Sequence, residues 1–157
     1  MGLEVRDGMN RIVVTIGPGH TLREAARRMA EHNVGAAVVF DLDQPGPGIF
    51  TERDLLRAGG AEKDIDVEVV GDHLSAQLTY AHADWPLEKA AEQMVRGAFR
   101  HIVVLEGSEV VGILSMRDIV RCWTAAGPRF LPPQTSAPTE DPCPESTTTA
   151  PRRGPNG

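Results

Sequence analysis

The apolar residues of this chain fall into two kinds of run, and the two kinds alternate. Val13-Val14-Thr15-Ile16 is short and β-branched and is closed by Gly17-Pro18-Gly19, which predicts a strand running into a turn. Leu22, Ala25, Ala26 and Met29 then recur at i, i+3, i+4 and i+7, the apolar stripe of an amphipathic helix. Thr21 and Glu24 have capping-box spacing at its start, and Asn33 and Gly35 are suited to end it. Ala36 to Phe40 is an unbroken run of the buried-strand kind. Asp41 to Pro47 reads as a turn, Ile49-Phe50 as a short strand, and Glu52 to Ala58 as a helix.

The same order then returns. Val5-Arg6-Asp7-Gly8-Met9 resembles Val70-Gly71-Asp72-His73-Leu74 at an offset of 65 residues. Leu22 to Met29 lies on Leu87 to Met94 at that offset, and Val38 to Asp41 on Val103 to Glu106. The offset then falls to 64, and GIFTERDLLR (Gly48 to Arg57) lies on GILSMRDIVR (Gly112 to Arg121). One residue has been lost in the loop between two strands, where a length change costs little. In the second unit, strands are expected over Leu78 to Ala81, His101 to Leu105 and Val110 to Leu114. Pro86 suits the first turn of its helix, and a last helix is expected from Met116 to Thr124.

Each unit is therefore β-α-β-β-α, over residues 5–60 and 70–124, and the chain is of the α/β (α+β) class. A unit of about 60 residues buries too little surface to be robust alone. Two such units packed through their sheets with pseudo-twofold symmetry solve that problem and leave clefts between them. From Pro128 the composition changes. Pro128, Pro132, Pro133, Pro138, Pro142, Pro144, Pro151 and Pro155 supply most of the 12 prolines, amid Thr and Ser. Residues 128–157 read as a disordered tail, with too little apolar surface to offset the entropy of ordering it.

Charge narrows the function classes. The net charge is −6, and the folded body carries it, because Arg129, Arg152 and Arg153 offset Glu140, Asp141 and Glu145 in the tail. With no basic face and only 4% aromatic residues, nucleic-acid binding is not expected. No segment is long and apolar enough for a membrane span, and the N-terminus lacks a signal-peptide core, so a soluble cytoplasmic protein is expected. The two cysteines, Cys122 and Cys143, have no pairing or metal spacing, and none of the five histidines is paired at i, i+4. No nucleophile elbow or phosphate-binding loop of the Walker type occurs, so no catalytic residue and no metal site is assigned, and an enzyme is not expected.

The chemistry lies in the doubled motif. Thr51 with Asp54, and Ser115 with Asp118, place a hydroxyl and a carboxylate at the start of a helix. There unpaired backbone N–H groups and the helix dipole favour anions. An ionised Asp accepts two hydrogen bonds, as a ribose diol offers, and the hydroxyl can bond ribose or phosphate. The same spacing is that of a plain helix cap, and both readings stay open here.

The repeat, with G-h-x-[ST]-x-x-D closing each copy, resembles the CBS domain, named for cystathionine beta-synthase. The resemblance covers Val5 to Trp123. It implies a pseudo-symmetric pair with two clefts and an adenosine-containing regulatory ligand: AMP, ADP, ATP or S-adenosylmethionine. It places Thr51, Asp54, Ser115 and Asp118 on ribose and first phosphate. The base would lie against Thr15 and Ile16 in one cleft and Tyr80 and Ala81 in the other. Arg100 and His101 would meet phosphate, and Gly35-Ala36 stand in their place in the first unit, so the clefts should differ. A homodimer and a separate effector chain are also implied. The alternative function is a ligand-independent dimeric interaction module whose clefts are vestigial. The usage of Ala, Arg, Gly and Pro suggests a bacterial source.

Overall fold

The computed structural model describes residues 2–74 and 79–127. The expected tail and the expected strand start at Leu78 lie outside the described residues. After a helical turn, α1 (Val5–Gly8), the first repeat runs β1 (Thr15–Ile16), α2 (Leu22–Glu31), β2 (Ala36–Val39), β3 (Gly48–Thr51) and α3 (Glu52–Gly60). A 3-10 turn, Val70–His73, leads into β4 (Tyr80–His82), α4 (Leu87–Gly97), β5 (His101–Glu106), β6 (Glu109–Ser115) and α5 (Met116–Ala126).

Both three-stranded sheets have one topology. The first strand is parallel to the second, and the second is antiparallel to the third. The parallel pairs need a crossover, which α2 and α4 provide. The first strand is shorter than the Val13–Ile16 run suggests. Ladder pairing is confined to Thr15–Ile16 against Val38–Val39, although the Val14 carbonyl still accepts the Val38 N–H at 2.9 Å.

Alternation along the strands sorts the side chains into three apolar layers. Ala37, Val39 and Phe50 pack with Leu22, Ala25 and Met29 of α2. Ile102, Val104 and Leu114 pack with Leu87, Ala90 and Met94 of α4 and Ile119 of α5. The opposite faces of the two sheets meet each other, Ala36, Val38 and Ile49 against Val103 and Ile113. With both faces buried, the strands read as continuous apolar runs.

The segments that precede each repeat are exchanged. Val5 is fully buried in the second repeat's core, and Val70 is fully buried in the first's. The backbone bonds that hold them recur at the repeat offset. Val5 N–H donates to the Trp85 carbonyl and Val70 N–H to the His20 carbonyl, both at 2.9 Å. Arg6 N–H reaches the Ala83 carbonyl and Gly71 N–H the Pro18 carbonyl, again both at 2.9 Å. Leu87 N–H donates to Leu3 and Leu22 N–H to Glu68. The unit of sequence and the unit of packing therefore differ.

The helix starts are as the sequence predicts, with one shift, while α3 and α5 each run two residues beyond the expected end, to Gly60 and Ala126. Thr21 and Glu24 form a complete capping box on α2, and Asn33 beyond its end has a positive φ of 52°. Ala98, its counterpart after α4, takes φ 53° without the help of a glycine. Pro86 is the N-cap of α4 rather than a residue of its first turn.

Candidate ligand site between the repeats

Each motif begins on a strand and ends inside a helix, and its parts serve different purposes. The leading glycine makes room for the exchanged segment. A Cβ on Gly112 would stand 2.9 Å from the Asn10 carbonyl oxygen and 2.9 Å from Met9 Sδ. A Cβ on Gly48 would stand 2.9 Å from Leu74 Cδ1. Met9 and Leu74 are repeat equivalents, so each motif glycine is the floor on which the other repeat's leading segment rests.

The hydroxyl and the carboxylate close the helix start. Thr51 N–H and the Thr51 hydroxyl donate to Asp54 Oδ2 at 2.8 and 3.0 Å, and Asp54 N–H donates back to Thr51 Oγ1 at 3.4 Å. Ser115 N–H and its hydroxyl donate to Asp118 Oδ2 at 3.0 and 2.6 Å, and Asp118 N–H to Ser115 Oγ at 3.1 Å. Both are complete capping boxes. In both, Oδ2 is committed to the cap. The second oxygen faces an arginine one turn on: Asp54 Oδ1 lies 3.9 Å from Arg57, and Asp118 Oδ1 lies 2.8 Å from Arg121.

Asp118 opens onto a cavity of about 520 Å³ between the repeats, within the range of small-molecule sites. The second repeat gives it Arg100, His101, Ser115, Arg117, Asp118 and Arg121. The first repeat gives apolar wall from Ile12, Val14, Met29 and Val34, together with Glu52 and the polar Asn10 and Asn33. Ile12 is 75% exposed, an apolar side chain held on an open wall. The cavity thus has an apolar side and a cationic side. Arg100, Arg117 and Arg121 outnumber Glu52 and Asp118, in a chain whose net charge is −6.

Of the expected site residues, Arg100, His101, Ser115 and Asp118 come together in this cavity. Thr51 and Asp54 cap α3 outside it, and Asp54 is only 5% exposed. Thr15, Ile16, Tyr80 and Ala81 are not among its lining residues. Ile16 and Ala81 are buried in the two helix-side cores. Tyr80 lies in the layer between the sheets, where its hydroxyl donates to the Pro47 carbonyl at 2.8 Å and burial raises its phenol above the ordinary range.

Asn10, Ile12, Asn33 and Glu52 join the site without having been singled out for it. Asn10 and Ile12 arrive because the leading segment crosses over, with the Asn10 N–H and carbonyl paired to Ile113 at 2.8 and 3.0 Å. No pattern inside either repeat reports that crossing. The repeat offset itself held a usable signal for Glu52 and Gly35, since they stand where the second repeat has Met116 and Arg100.

His101 is half-buried and lines the cavity at the start of β5. A Cβ on Gly35 would lie 3.0 Å from its Nε2 and 3.3 Å from the Glu52 carboxyl carbon. The missing basic residue at position 35 is thus the space into which the other repeat's imidazole projects. Burial holds the His101 ring below its ordinary 6.5; Glu52 and Asp118 oppose that shift, while Arg100 and Arg117 add to it.

A tandem fold with this doubled motif agrees with what known proteins show. The sequence profile of the CBS domain matches residues 4–60 and 70–124. The chain belongs to the CBS domain family. Among curated proteins, it is 30% identical over 115 residues to the CBS domain-containing protein YhcV of Bacillus subtilis, covering 73% of this chain and 81% of that one. It is 34% identical over 110 residues to an uncharacterized 17.7 kDa protein of Acidianus ambivalens, covering 69% and 66% of the two chains. Among solved structures, a CBS domain protein from Pyrobaculum aerophilum complexed with AMP is 33% identical, with a TM-score of 0.66 over 74% of this chain and 89% of that one. Among the described residues, no helix of this CBS pair is long and apolar enough to cross a membrane.

Proposed function

We propose that this CBS pair is a regulatory sensor that binds an adenosine nucleotide, AMP, ADP or ATP, in the cavity around Asp118. The observation that carries the reading is the union, in one inter-repeat cavity, of an apolar wall with a carboxylate oxygen and three arginines. Asp118 Oδ1 would exchange its Arg121 contact for a ribose hydroxyl, which would leave Arg121 to join Arg100 and Arg117 on phosphate. The solved relative with AMP, at 33% identity, supports this ligand class. The cationic side favours phosphate over S-adenosylmethionine, whose sulfonium brings a positive charge. Ligand binding to both repeats would shift the population of their relative positions. That signal would pass to a separate effector through a homodimer, in a soluble, cytoplasmic, non-enzymatic protein. Leu56 and Val120, 75% and 49% exposed on α3 and α5, offer apolar surface for such contacts.

One observation favours a second reading. Both hydroxyl–Asp pairs already form complete caps, as a ligand-independent dimeric interaction module would also need. Thermal melts with AMP, ADP, ATP and S-adenosylmethionine separate the two. A ligand at 100 times its Kd stabilises by about 2.7 kcal/mol. A rise in Tm with one nucleotide that Asp118→Ala abolishes establishes the sensor. No rise with any of them leaves the interaction module.

A further inference from the structure

His101 stands where the two repeats, the cationic side of the cavity and Glu52, the carboxylate that the first repeat gives the cavity, all meet. Its strand neighbour across the ladder is Ser115, the cap residue of α5. Around the ring stand Glu52 from α3, Arg117 and Asp118 from α5, and Arg100 immediately ahead of β5, while Gly35 ahead of β2 brings no charge. Of the three arginines, Arg121 is engaged with Asp118. Shielding from water disfavours a proton on this ring, and Arg100 and Arg117 add to that against the opposite pull of Glu52 and Asp118. An anion entering the cavity beside Arg100 and Arg117 offsets that penalty, because it supplies the opposite charge at short range.

We propose that the cavity takes up its anionic ligand together with a proton, which His101 accepts. The inference rests on the nucleotide reading and adds its regulation: the CBS pair reports phosphate ligand and acidity jointly. The imidazolium would sit between the ligand phosphate and the Glu52 carboxylate, tying the second repeat's strand to the first repeat's α3. Occupied sites would therefore clamp the repeats more firmly as pH falls from neutrality.

The test uses the full chain and AMP as the probe. Calorimetric titrations at pH 7 in buffers of different ionisation enthalpy count protons taken up. NMR follows the His101 ring, assigned in the natural protein by through-bond connectivity to its own backbone. The expected result is proton uptake by the natural protein beyond that of His101→Gln, and an upward move of the His101 midpoint in the AMP-saturated protein. Between the free and bound midpoints, affinity should rise about tenfold for each unit by which pH falls, in the natural protein relative to the variant. The phosphate proton of AMP itself is common to both proteins and drops out of the comparison. AMP binding with equal proton counts and an unmoved His101 midpoint overturns the inference and leaves the sensor reading standing. No binding of AMP, ADP or pyrophosphate at any pH overturns both. The midpoint measured on the natural protein decides the matter even if the variant folds poorly.

Discussion

Val5 and Val70 hold equivalent places in the repeat, and each is fully buried in the core of the repeat to which it does not belong. Their amides are held at the same 2.9 Å by carbonyls 65 residues apart, His20 for Val70 and Trp85 for Val5. The exchange ties the two halves more firmly than the sheet contact alone, and it has a measurable signature. Val5→Ala and Val70→Ala should each cost about 2 kcal/mol in denaturant unfolding, the loss of buried methyl groups and the cavity they leave. Hydrogen exchange should show the location. Val5→Ala should loosen amides of α4 and β5, and Val70→Ala those of α2 and β2. Loosening confined to the variant's own sequence repeat would contradict the exchange.

The two motif carboxylates should part company under mutation. Asp54→Ala and Asp118→Ala each remove half of a capping box and should each cost about 1 kcal/mol of stability. Only Asp118→Ala should also weaken AMP binding, since Asp118 lines the cavity and Asp54 does not. Chemical denaturation beside calorimetry on both variants reads the two effects separately.

Gly112 and Gly48 differ in what a methyl group would strike. Gly112→Ala meets a backbone carbonyl at 2.9 Å, that of Asn10, as well as Met9 Sδ. Gly48→Ala meets the end of the Leu74 side chain, which can turn aside. Overpacking against backbone should make Gly112→Ala the more damaging, by about 1–3 kcal/mol against less than about 1 for Gly48→Ala. Paired thermal melts give the comparison.

Acid should unsettle the protein in two stages. The folded His101 titrates below its ordinary 6.5, so the unfolded chain binds its proton more readily. Stability should then be full above 6.5 and fall as pH drops through that value toward the folded one. The Glu24, Asp66 and Glu68 carboxylates are held below their ordinary values by the Thr21 backbone, Arg23 and His73 respectively. Their contributions are present above the ordinary carboxylate range and are lost only as pH falls through the lowered values. A pH series of denaturation midpoints should show the first decline flattened in His101→Gln and the second unchanged.

Much of the fold was legible because both periodicities and both caps occur twice. Of the expected stripe, Leu22, Ala25 and Met29 face a core while Ala26 is only partly buried, and Thr21 with Glu24 caps α2 as written. The short helical turn at Val5–Gly8 was not, since four residues carry no periodicity. Its destination was hidden as well, because nothing in a repeat's own sequence says which core it will enter. Arg100, His101, Ser115 and Asp118 were found as a group because motif and strand register place them side by side. Ile12, Asn33 and Glu52 reach the same cavity from the other repeat, and that depends on how two sheets meet rather than on any local spacing.

Asp118 divides its carboxylate, with Oδ2 holding the start of α5 and Oδ1 paired with Arg121, another residue of the cavity lining. Folding and recognition thus draw on one side chain, and a descendant that gave up its ligand would still need the residue to keep its helix. The motif can outlive the activity. A sequence search that finds it has found a well-capped helix; whether the outer oxygen still has company depends on the arginines and the opposing wall, which the motif does not encode.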